Sequence, residues 1–184
     1  LQERLAICQS GKGDYREARQ TLERAIELDK KNRDYYLHLA NLQFSALNSY
    51  IEAKKTLDRM VESDPKEPLT YVNRGHWILS VIASGVADKQ ENAANANIQT
   101  SRDYRIEQVQ ADVDKSLELA PGLIDVNLLA AELALTKSDL DEAAKFANYA
   151  KRIAPQEPYP VRLLIRVESL KGDLERAVEL SKEA

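Results

Sequence analysis

The feature that most constrains this chain is a repeat. The stretch Gly13-Asp14-Tyr15-Arg16-Glu17-Ala18 is followed by Leu22, Ala25 and Lys30. Displaced by 35 residues, Tyr15 falls on Tyr50, Ala18 on Ala53, Leu22 on Leu57, Ala25 on Met60 and Lys30 on Pro65. The same frame returns as Asp139, Leu140, Ala143, Ala147, Ala150 and Pro155, and again as Gly172, Asp173, Leu174, Ala177, Ser181 and Ala184. Pro121 to Pro155 spans 34 residues, whereas Pro65 to Pro121 spans 56, one period plus about 22 residues. Self-similarity at such a period marks stacked supersecondary units.

The frame is helical. Small or apolar residues at successive offsets of three and four fall on one stripe, and alanine there lets a neighbouring helix approach closely. Gly-Asp or Ser-Asp ahead of the stripe supplies a turn and a helix N-cap. Proline closes the unit, because it cannot continue a helix. All six prolines (65, 68, 121, 155, 158 and 160) lie at or just beyond these closing points. A second amphipathic run precedes each such helix, for example Tyr36-Leu39-Ala40, Tyr71-Arg74-Gly75-Ile78 and Leu128-Leu129-Ala131-Leu133-Leu135.

Helix, short turn, helix and proline at this period resemble the tetratricopeptide repeat (TPR) family. The resemblance implies an all-α fold, a right-handed α-solenoid (superhelix) of antiparallel helix pairs. A single domain over 1–184 is expected, in units 1–32, 33–67, 68–121, 122–155 and 156–184. The first unit lacks the opening of its first helix, and the last stops within its second. Ser116 stands in place of an expected alanine, Asn127 in place of a large apolar residue, and Leu140 and Leu174 in place of the turn tyrosine. Solenoids end on polar capping repeats. Leu1 at the start and the uncapped Ala184 read as a piece of a longer protein or as an end covered by another molecule.

The third unit carries the extra residues near 85–105. Ile78, Ile82 and Val86 continue one helical stripe, and Ile106, Val109, Val113 and Leu117 run back from Pro121 on another. Between them Asn92 to Ser101 is neutral, polar and rich in asparagine, a turn former. Thr100 and Ser101 are candidate N-caps. Two lengthened helices with a mobile tip follow, projecting ~10–15 Å beyond their neighbours. Such a projection is either a tolerated insertion or a contact for a partner or a second copy. Trp77, the sole tryptophan, is expected in the core.

Composition narrows the function classes. Glycine and proline together number twelve, too few for a sandwich or barrel of many turns. No apolar run reaches the ~18 residues of a membrane span, so direct membrane insertion is not expected. The compartment is not fixed by the sequence; a soluble protein is expected, with the cytoplasm favoured. A net charge of −4 and a pI near 5.4 disfavour nucleic acid. Catalysis has little to work with. His38 and His76 occupy non-equivalent positions, and Cys8, read as a buried small residue, lies a unit away, so no metal or other cofactor is expected. Gly11-Lys12-Gly13 lacks the spacing of a phosphate loop and serves as a turn. Asp139, Asp141 and Glu142 open a helix, where carboxylates suit the dipole.

Binding is the better reading: a non-catalytic scaffold for a protein or peptide partner. In TPR proteins the first helices line a concave groove. On that resemblance the groove-facing residues are Leu37, Asn41, Val72, Asn73, His76, Leu79, Leu128, Glu132, Arg162 and Arg166, with Leu69, Asp125, Tyr159 and Ser169 beside them. Asn41 and Asn73 match places where family members hold a peptide main chain, and an amide offers both a donor and an acceptor for that purpose. The carboxylate clamp of some relatives is absent, because Leu37, Asp125 and Leu129 stand where cations would be needed. Glu132 has two roles open to it, an ion pair with Arg162 and Arg166 or a contact to a ligand. The alternative function is self-assembly through the uncapped ends or the third-unit projection, giving a homo-oligomer.

Overall fold

The computed structural model describes residues 2–85 and 98–182, with side chains over 4–85 and 102–182. Among these residues the chain is all-α. The helices are α1 (Gln2–Lys12), α2 (Tyr15–Leu28), α3 (Arg33–Ser45), α4 (Tyr50–Ser63), α5 (Pro68–Ser84), α6 (Ile98–Leu119), α7 (Ile124–Thr136), α8 (Leu140–Ile153), α9 (Pro158–Lys171) and α10 (Leu174–Ser181). Each odd-numbered helix packs on the one that follows it, and the pairs stack in chain order. This is the α-solenoid of antiparallel pairs implied by the repeat.

The turns follow from local chemistry. Gly13 and Gly172 adopt φ of +86° and +84° between paired helices, a conformation that costs glycine nothing. Asp139 and Asp173 cap α8 and α10 by accepting from Glu142 N and Arg176 N, both at 3.0 Å. Ser49 does the same for Glu52 N at 3.4 Å. Asp14 holds the equivalent place at α2, but its side chain makes no capping bond. Pro68 and Pro158 open α5 and α9, where a missing N–H leaves no bond unmade.

Packing fulfils the stripe. Ala18, Ala53, Ala143 and Ala147 are fully buried, as are Leu57 and Met60. Gly75 sets the closest approach between α5 and α7: a Cβ there would lie 2.7 Å from Leu129 Cδ2. Trp77 joins the core as expected, edge-on to Phe44 and stacked on Tyr50.

One of the departures from the repeat, Asn127, has a physical account. Tyr36 Oη donates to Lys30 O at 3.0 Å and Tyr71 Oη to Pro65 O at 2.9 Å, tying each first helix to the end of the helix before it. Asn127 occupies the equivalent position, and its Nδ2 donates to Pro121 O at 2.9 Å. The polar residue thus replaces the tyrosine ring but keeps its bond. Likewise Thr21 and Thr56 donate to Gln9 and Gln43 within their own units. The third unit has Asp112 at that place, 1% exposed, and Arg74 binds it through Nε (3.1 Å) and Nη2 (2.5 Å) while reaching Asp58 at 2.9 Å.

α5 and α6 run 17 and 22 residues against 13 or 14 in α3, α4, α7, α8 and α9. Thr100 and Ser101 lie within α6, not ahead of it, because the helix begins at Ile98. Of the expected tip, Asn92 to Ser101, residues 92–97 lie outside the described residues and 98–101 belong to α6. Cys8 is exposed, contrary to the expectation of a buried small residue: Ala6 takes the inward position of α1. No helix among the described residues is long and apolar enough to cross a membrane.

Candidate functional site

The first helices α3, α5, α7 and α9 are connected by side chains along one face. Trp77 Nε1 on α5 donates to Asn41 Oδ1 on α3 at 3.0 Å. His76, the neighbouring residue, meets Glu132 on α7 through Nδ1 at 2.9 Å from Oε2. Tyr159 on α9 donates its hydroxyl to Glu132 Oε1. The guanidinium of Arg162 lies over the Tyr159 ring, 5.2 Å from its centre. Two runs of contacts thus join the four first helices: the Trp77–Asn41 bond between α3 and α5, and a polar chain of His76, Glu132, Tyr159 and Arg162 from α5 to α9.

Glu132 is the centre of this chain. A carboxylate only accepts, so both Tyr159 Oη and His76 Nδ1 act as donors when it is ionised. Burial pushes its pKa up, but the His76 bond and charge, the Tyr159 bond and the field of Arg166 outweigh that and leave it lowered. Tyr159 responds in the opposite sense: burial and the Glu132 carboxylate push its hydroxyl up to about 12. It stays a donor throughout the physiological range.

The face is unevenly filled. Val72, Leu79 and Leu128 are 2%, 6% and 9% exposed, so they belong to the core and offer no groove surface, contrary to expectation. They pack into the hydrophobic core between the stacked helices. Leu37 and Leu69 are half-buried against the same core. Asn41 is exposed, but Trp77 already donates to its side-chain oxygen, which leaves Nδ2 as the amide group with no partner among the described residues. Asn73 is half-buried, and its side chain makes no hydrogen bond among the described residues. Asp125 is half-buried, and Ser169 is exposed with its hydroxyl on Ile165 O. Arg162 and Arg166 are exposed. Among the described residues neither forms a direct ion pair with Glu132, although Arg166 lies near enough for its field to help hold the carboxylate ionised.

A cleft of about 400 Å³ lies between α1 and α3. Ala6, Ile7, Leu42 and Ala46 give it apolar walls, and Ser10, His38, Asn41 and Ser45 a polar edge, with Tyr15 closing one side. The α1 side of this cleft lies outside the expected groove, since the first unit reads as incomplete. The spacing of Ala6, Ile7 and Ser10 against His38, Asn41, Leu42 and Ser45 carries the signal. No group of three or more metal-ligating side chains occurs among the described residues.

Antiparallel helix pairs stacked in chain order, with polar contacts between the first helices and a flanking cleft, are an α-solenoid fold of the kind TPR proteins have. In agreement, residues 11–70 match the tetratricopeptide repeat family model. No curated protein matches the chain in sequence. Among solved structures, it superposes on a thermophilic TPR protein of Thermus thermophilus with a TM-score of 0.71 at 16% identity, covering 100% of this chain and 88% of that one. MamA of Desulfovibrio magneticus RS-1 gives 0.64 at 14% identity, with 100% and 90% covered. YrrB, described as a TPR protein with an unusual peptide-binding site, gives 0.57 at 14%, with 99% and 82% covered. The chain has the TPR fold.

Proposed function

We propose that this protein is a non-catalytic scaffold that binds an extended peptide or protein segment along the concave face of its first helices. In this reading the chain is one domain of five repeat units, 1–32, 33–67, 68–121, 122–155 and 156–184. The observation that carries the proposal is the cleft between α1 and α3 beside the Nδ2 of Asn41. An apolar side chain fits the former while a main-chain carbonyl accepts from the latter, and a preorganised donor loses little freedom on binding. Asn73, unpartnered one unit further on, continues the line. YrrB, which shares the fold, is described as having a peptide-binding site, and that likeness favours the same use of the face.

The test is selection from a random displayed peptide library, followed by affinity measurement. Binders should lose about tenfold or more on Ile7→Glu, which puts a charge at the cleft, and on Asn41→Ala with Asn73→Ala. Binders indifferent to all three changes would reject the reading.

Self-assembly is the second reading. Leu170, Leu174 and Val178 are exposed to 57%, 65% and 54% on α9 and α10, an apolar set of the kind that marks contact surfaces. Sedimentation of the native chain and of Leu174→Lys should then differ, with the native chain forming a concentration-dependent oligomer and the variant a monomer. A native monomer at high concentration would reject it.

A further inference from the structure

The exposed arginines of α9 add a chemical preference to this face. Arg162 and Arg166 are one turn apart on the same helix, where like charges repel. Neither makes an ion pair among the described residues. The acid nearest to them in the first-helix contacts, Glu132, accepts from His76 Nδ1 and Tyr159 Oη, and Arg166 acts on it through its field without a direct ion pair. Arg162 is seated on the Tyr159 ring, which fixes its guanidinium without neutralising it. Some exposed cations elsewhere on the stack find acids, as Lys171 does with Asp141 at 2.7 Å and Arg59 with Glu23 at 3.1 Å, and others such as Arg16 and Arg24 do not among the described residues. What sets Arg162 apart is its seat on the Tyr159 ring beside Arg166 on the first-helix face. The protein as a whole carries −4, so this positive spot is local and opposes the net field.

We infer that Arg162 and Arg166 receive an acidic side chain, aspartate or glutamate, of the segment bound along the first helices. The inference rests on the groove reading above and specifies its ligand. A planar guanidinium matches a carboxylate with two parallel hydrogen bonds, and two such groups one turn apart can share a single acid or take two.

The test uses a random peptide library displayed within a coat-protein loop, so that no free carboxyl terminus is offered. Selection is run in parallel on the native protein and on the double variant Arg162→Gln, Arg166→Gln. Both positions are exposed, so the double variant should stay folded, with at most a small drop in melting temperature from the lost Tyr159 contact and the lost, screened field on Glu132. Native binders should be enriched in Asp or Glu at a fixed distance from an apolar residue. An acidic binder should lose about fivefold or more on the double variant. It should also weaken with added salt, and Arg152→Gln on α8, remote from α9's polar face, should leave it unchanged. Binders that depend on Ile7 and Asn41 yet lack acidic enrichment would overturn this inference and leave the groove reading standing. Acidic binders unaffected by the double variant would overturn it as well. Binders insensitive to Ile7, Asn41 and both arginines, or none at all, would reject the two together.

Discussion

Trp77 on α5 holds Asn41 on α3 by an indole N–H to amide-oxygen hydrogen bond of 3.0 Å. The indole can only donate, so the bond also fixes which end of the amide is left for another partner. The ring is 7% exposed and wedged against Phe44 and Tyr50, so the donor does not wander. Trp77→Phe should cost roughly 2–3 kcal/mol in chemical denaturation, one hydrogen bond plus the cavity left by the smaller ring. It should also weaken peptide binders that use Asn41, while Asn73→Ala leaves stability unchanged.

The bonds from Tyr71 to Pro65 O and from Asn127 to Pro121 O tie each first helix to the closing turn of the preceding unit. Tyr71→Phe and Asn127→Leu should each destabilise by about 1 kcal/mol. The two sites are a unit apart and share no partner, so the double variant should show the sum. Urea melts of the four proteins decide it.

Asp112 and Arg74 form a buried pair at the heart of the enlarged unit. Asp112→Ala strands the guanidinium with only the half-exposed Asp58, and should cost about 3 kcal/mol. Arg74→Met with Asp112→Leu removes both charges and should recover most of that loss. A double variant as unstable as Asp112→Ala would show that the pair contributes more than mutual neutralisation.

Gly75 faces Leu129 so closely that a methyl group cannot enter without moving it. Gly75→Ala gains about 1 kcal/mol in helix propensity, but overpacking a full core costs typically ~1–3 kcal/mol. The net effect should be a lower melting temperature. A higher one would mean that Leu129 yields freely.

Glu132 has a lowered pKa in the folded chain. The folded state therefore binds fewer protons than the unfolded one around its ordinary value, and stability rises with pH there. Its contribution is complete above the unfolded-state pKa of about 4.5 and is lost as pH falls through the lowered folded value. Native stability should drop more steeply below about pH 4.5 than that of Glu132→Gln. Parallel curves would show that the carboxylate is not held as described.

The fold is legible in the sequence because alanines, turn glycines and closing prolines impose the same demands in every unit. Ala18, Ala53 and Ala143 occupy one place in the frame and are all fully buried. The site is less legible. Val72 and Leu79 share their helix with Asn73 and His76, and a rotation of one residue position separates core from surface, finer than a family pattern resolves. The pattern puts Tyr159 on the face but not against Glu132, since that contact joins helices 27 residues apart in the chain. Asn127 reads as a departure when residue type, not bonding, is compared. The Trp77–Asn41 bond likewise depends on a long-range distance that periodicity does not encode.

The central claim is that ligands use the first helices. It is tested most directly by mapping backbone amide chemical shifts while a selected peptide is titrated into the native protein. The account predicts perturbations concentrated in α1, α3, α5, α7 and α9, with Ile7, Asn41 and Asn73 among the largest. Perturbations concentrated in α2, α4, α6, α8 and α10 instead would contradict it.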